Sequence, residues 1–142
     1  MTYENKVPRE NIAAATDIRS FDAAKEVSPT FCAAKWYMVT MHLAQGETHS
    51  CYHPWTHKVP VEEVLAKPGA IHNTIYKKSQ RKIMLEGERP KECEYCWKME
   101  DLGHISDRMI RNDERWSKHD LLAHKGMTGD EDVYPRYVEV SF

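Results

Sequence analysis

An α+β fold is predicted by three observations: an alternating run broken by a glycine turn, a charged helical run in the middle of the chain, and four cysteines in a metal-site pattern. The expected architecture is a small β-hairpin with helices around a four-cysteine metal site, followed by a linker and a stray C-terminal strand. At 142 residues the chain fits one domain. Its 30% charged residues and mean hydropathy of -0.71 leave a modest apolar supply. A metal that ties loops together would therefore contribute usefully to stability.

Residues 1–30 are polar, and the runs Ala13-Ala14-Ala15 and Ala23-Ala24 have no clear apolar face, so a loosely packed lead-in is expected. From Trp36 to Leu43 two-sided alternation predicts a strand. Gln45-Gly46-Glu47 turns it into Thr48–His53, with positions 41–43 expected to face 48–50. Val61–Leu65 reads as a brief helix stopped by Pro68-Gly69. A longer helix is predicted from Ile75, Tyr76, Ser79, Ile83, Met84 and Leu85, with Lys77, Lys78, Arg81 and Lys82 on its solvated face and Gly87 as its stop. Arg89–Glu92 is a turn that delivers Cys93 and Cys96, and Trp97–Glu100 opens another helix ending near Gly103. An exposed helix from Ser106 to about His119 and a linker around Gly126 and Gly129 lead to the strand-like Tyr137–Phe142. The expected divisions are a lead-in (1–30), a cysteine-rich domain (31–103), a charged helix and linker (104–132) and a final strand (133–142).

Cys93-Glu94-Tyr95-Cys96 is a CxxC pair, and the two remaining cysteines, Cys32 and Cys51, flank the hairpin. Four thiolates form a complete soft-ligand set that suits an iron–sulfur cluster or zinc. The competing reading is four buried thiols that act as small hydrophobes. A thioredoxin-like dithiol is disfavoured because a polar Arg-Pro-Lys-Glu turn, rather than a strand, precedes the pair. Cys32 fits worst, since the hairpin alone leaves Cys51 short of it unless Phe31-Cys32 curls back. Of the eight histidines, His49, His53 and His57 cluster near Cys51, and His53 or His57 is a candidate substitute in a Cys₃His zinc site. His104, His119 and His124 read as solvated surface. Trp36 and Trp97, each near a cysteine, are expected to wall the site from water.

Twenty basic against twenty-two acidic residues give a net charge of -2, which argues against nucleic acid or anionic membrane as partners. No signal-type segment or membrane-length apolar run occurs, so a cytosolic location is expected, where two structural disulfides are disfavoured. Phosphate-loop, nucleophile-elbow and HExxH patterns are absent.

The order Ser28-Pro29-Thr30-Phe31-Cys32, a hairpin through Gly46 to Cys51, Met84-Leu85-Glu86-Gly87-Glu88, then Pro90, Cys93, Cys96 and Glu100 resembles the auxiliary cluster region of twitch or SPASM-type radical SAM proteins, a family also found in phages. The likeness spans Ser28 to about Arg108. It implies an iron–sulfur cluster, of the 4Fe-4S kind, on Cys32, Cys51, Cys93 and Cys96. The family's Pro-Trp after the first cysteine is here Ala34-Lys35-Trp36, and Pro54-Trp55 follows the second cysteine instead. The CxxxCxxC loop of a radical SAM core is missing, whereas Pro135–Phe142 looks like the first core strand. The resemblance thus implies the N-terminal part of a longer protein whose partners are the remainder of a radical SAM core and a peptide or small-molecule substrate. S-adenosylmethionine chemistry would belong to that whole protein and not to this chain alone. A structural zinc-binding interaction module is the alternative.

Overall fold

The computed structural model describes residues 24–114 and 121–142. Most of the expected lead-in, the end of the Ser106–His119 helix and His119 itself lie outside the described residues. Those described are α+β, with five helices and one mixed sheet of four strands.

The run read as one strand from Trp36 is two elements: a single helical turn, α1 (Ala34–Tyr37), and then β1 (Met38–His42). Trp36 and Tyr37 therefore belong to a turn that redirects the chain. β1 pairs antiparallel with β2 (Glu47–His49) in the register Thr40↔His49 and His42↔Glu47. That register is two residues from the expected one and keeps every side chain on its expected face. A short β3 (His57–Lys58) extends the sheet beyond β2.

The C-terminal run is not stray. As β4 (Tyr137–Ser141) it lies parallel to β1, from Met38↔Tyr137 to His42↔Ser141, and completes the order β3-β2-β1-β4. A parallel neighbour must arrive by a long crossover. A sequence search for a local hairpin partner could not have found it.

The helices are α2 (Val61–Ala66), α3 (Ile75–Leu85), α4 (Glu94–Asp101) and α5 (Asp107–Asp113). Thr74 caps α3, its hydroxyl accepting from the Lys77 N–H at 3.0 Å. α3 keeps only the end of its predicted apolar face: Met84 is buried and Leu85 packs on the core as expected, but Lys77 and Arg81 are buried too, while Ile75 is 70% exposed. The helical turn before β1 is the cause. Arg81 donates to the carbonyls of Lys35 (2.8 Å) and His72 (2.9 Å) and to the Asn73 side chain (2.8 Å). Lys77 donates to the Met38 carbonyl and to His72 Nδ1, at 3.4 and 2.8 Å. Buried carbonyls need donors, and these two long side chains supply them. Lys78 and Lys82 lie towards the surface, where they pair with Asp132 and Asp130 at 2.6 Å each.

The loop carrying those aspartates sits directly on α3. A Cβ on Gly129, whose φ is +95°, would fall 2.8 Å from the Lys82 backbone nitrogen. The preceding turn, Leu121–Gly126, buries His124 completely against Phe31, Trp36 and Tyr37. This overturns the surface assignment of His124; His104 is exposed as expected. The described end of the lead-in is packed as well, with Ala24, Ser28 and Thr30 all buried.

Candidate functional site

The four cysteines line one small cavity, together with Lys35, His53, Asp107, Arg108 and Arg111. Each arrives on a different local device. Cys93 ends a 3-10 turn (Lys91–Cys93) and caps α4, whose first turn holds Cys96. Their spacing of three puts both thiols on one side of that helix start. The helix thus begins at Glu94, inside the CxxC and ahead of the predicted Trp97. Cys51 lies two residues past the end of β2.

Cys32, the worst-placed thiol from the hairpin register, reaches the cavity because its segment is pinned from two sides. Arg108 and Asn112 of α5 donate to the Phe31 carbonyl at 2.7 and 3.0 Å, and Asn112 Oδ1 accepts from the Ala33 N–H at 2.7 Å. From the other side the Ser28 and Thr30 hydroxyls donate to the Met84 carbonyl at the end of α3. α1 then turns the chain away into β1. The curl that the sequence required is thus built from residues 54 to 81 positions away.

Burial pushes all four thiols up: Cys32 well above the ordinary range, Cys51 to about 11, Cys96 to about 12, and Cys93 in the same direction. Three sulfurs also face donors that oppose this. The His53 backbone N–H points at Cys51, the Arg108 backbone N–H at Cys96 and the Lys35 ammonium at Cys93. Such donors stabilise a thiolate more than a thiol, the pattern that suits metal-bound sulfur.

Beneath the cavity Lys35 forms an ion pair with Glu92, their side chains 2% and 6% exposed. Burial alone opposes the Lys35 charge, but the Cys93 sulfur and the Glu92 carboxylate outweigh it and hold the pKa above that of an ordinary lysine. Tyr76 also donates to Glu92, at 2.9 Å. At the rim His53 pairs with Asp107 and stacks on Tyr95, ring centroids 4.1 Å apart.

Trp36 and Trp97 are buried in the core cluster that contains Cys32 and Cys93. The guanidiniums of Arg89 and Arg108 each stand over the Trp97 ring, at 5.3 and 5.2 Å from its centre. His53 lines the cavity; His57 does not, and bonds Thr74 at 2.9 Å beside the Tyr76 ring. Among the described residues no group of three or more His, Cys, Asp or Glu stands in an arrangement that could hold a metal ion.

Lys35, Glu92, Asp107 and Arg108 escaped the sequence reading. Only Lys35 left a trace there, three residues after Cys32. Compared with protein families, curated proteins and solved structures, the chain matches none. No described helix is long and apolar enough to cross a membrane.

Proposed function

We propose that the chain is an auxiliary iron–sulfur module of a radical SAM protein, with Cys32, Cys51, Cys93 and Cys96 as the cluster ligands. The observation that supports it is the convergence of four cysteines, drawn from three separated stretches of chain, on one cavity whose donors point at three of the sulfurs. The donor chemistry suits the group, with four soft sulfurs and two nearby cations in Lys35 and Arg108 lining one cavity, but the thiols would have to rearrange to bind it. A cluster on four cysteines is coordinatively closed and supplies electron transfer or substrate positioning. Lys35 would offset part of the thiolate charge, and the His53 and Arg108 amides would fix two sulfurs. In this reading the parallel edge strand β4, exposed along its whole length, is where a catalytic core would extend the sheet.

A structural zinc site is the second reading, and cavity size favours it. A volume of about 10 Å³ is room for roughly one water-sized body. A single ion fits, whereas a four-iron cluster requires the thiols to turn outwards.

Anaerobic purification followed by iron, sulfide and zinc analysis separates the two. A brown protein with about four iron and four sulfide per chain, lost in Cys32→Ser and Cys96→Ser, is the expected result. Colourless protein with one zinc per chain would sink the cluster reading.

A further inference from the structure

On the sheet face carrying Thr40, two imidazoles that belong to neither the core nor the cysteine cavity meet head to head. His42 and His49, from β1 and β2, have their Nε2 atoms 3.0 Å apart and ring centroids 5.1 Å apart. They sit on a cross-strand diagonal, since Thr40 faces His49 and His42 faces Glu47.

The hydrogen bonds fix one tautomer. His49 Nδ1 contacts the Cys51 carbonyl, and a carbonyl only accepts, so Nδ1 carries the proton. His49 Nε2 is then a bare lone pair aimed at His42 Nε2. A backbone carbonyl holding the far nitrogen of an imidazole is the outer support that metal-bound histidines ordinarily have.

We propose that His42 Nε2 and His49 Nε2 form a chelate for a late first-row divalent cation such as Ni²⁺ or Cu²⁺, separate from the cysteine site. Metal–nitrogen bonds of about 2.0–2.1 Å across a 3.0 Å separation close an angle of about 91–97°. That is the cis angle of an octahedral ion, the paramagnetic form of Ni²⁺ expected with two imidazoles and water, and is narrower than a tetrahedral one. No net proton is released: His42 moves its single proton from Nε2 to Nδ1, and both imidazoles stay neutral.

Access and charge agree with the assignment. His42 is half-buried and borders an open groove with Met41, Leu43 and Glu47. Glu139, paired with Thr40 from the β4 side, is exposed on the same face. Its carboxylate lies within electrostatic reach of His49, as does Lys77, which burial pushes toward the uncharged amine. Water is the group available for the remaining coordination positions.

Ni²⁺ titrated into the ¹⁵N-labelled full chain under reducing conditions tests the site, because a paramagnetic ion broadens the amides around it. Broadening at Leu43, Glu47 and Ser141 is expected. Those effects should need at least about tenfold more Ni²⁺ in His42→Ala, with spectral dispersion unchanged. His42→Gln, which keeps a polar side chain of similar reach, should behave the same. Sharp Leu43, Glu47 and Ser141 signals at excess Ni²⁺, or broadening that survives in both variants, would overturn the proposal. Nickel taken up by the cysteines broadens the surroundings of Cys32, Cys51, Cys93 and Cys96 in all three proteins alike, so the difference between wild type and the His42 variants isolates the imidazole pair.

Discussion

Lys35 is the residue on which the candidate site and the core depend together. It places an ammonium beside the Cys93 sulfur while its backbone forms part of α1, and the side chain of its partner Glu92 is only 6% exposed. Removing one member of such a pair strands the other charge in a low dielectric. Lys35→Met is therefore expected to destabilise the chain by about 3–5 kcal/mol, and Lys35→Met with Glu92→Gln to recover most of that loss. Urea unfolding of the two variants checks it, and equal loss in both would mean that the pair is not coupled. This dependence was barely legible in the sequence. The thiols announced themselves by spacing, but a lysine three residues after a cysteine has no meaning until the backbone bends at α1. His124 shows the same limit. Its charged neighbours in sequence suggested surface, whereas its neighbours in space are Phe31, Trp36 and Tyr37.

Helix α3 shows why periodicity located an element correctly and oriented it only in part, right for Met84 and Leu85 but not for Ile75, Lys77 and Arg81. Its range and its Gly87 stop follow from helical spacing, yet the inward side carries Lys77 and Arg81 because α1 and the His72 turn leave buried carbonyls that need donors. Hydrophobic pattern reports where apolar groups lie; it is silent about carbonyls left unpaired by a bend elsewhere. His72 belongs to the same network: it donates through Nε2 to the Trp36 carbonyl at 2.6 Å and accepts from Lys77 at Nδ1. Burial, with Lys77 and Arg81 beside it, pushes its pKa down to about 2, and burial likewise takes His57 down to about 4, from 6.5 for each. Below pH 6.5 the unfolded chain binds protons that the folded chain refuses, so this stability is complete above pH 6.5. It is lost as pH falls toward 4 for His57 and further for His72. Melting temperatures should drop between pH 7 and pH 5. The drop should be smaller in His72→Gln, which keeps a donor and an acceptor without a titrating ring. An identical pH slope in that variant would remove His72 as its source.

Across the whole molecule, the cysteines join the hairpin side to the helical side. The α+β class, the hairpin and the CxxC turn were legible because they are local. The parallel pairing of β4 with β1 and the arrival of Cys32 were not, because both are set by contacts between residues far apart in the chain. Cys51 follows Cys32 by 19 positions, and Cys93 follows Cys51 by 42. Any ion or cluster bound by all four therefore closes long loops, and it restricts the unfolded chain much as a cross-link would. Metal-loaded protein is expected to melt at least about 10 °C above the metal-free chain, a few kcal/mol for a domain of this size. Because each ligand is needed to hold the loops together, Cys32→Ala should lose most of this increment, as should Cys96→Ala. Calorimetry of loaded and chelator-stripped protein, wild type against the alanine variants, measures both quantities. If stripped and loaded protein melt together while the alanine variants melt lower by a common amount, the thiols act as core side chains and the convergence of the four serves packing alone.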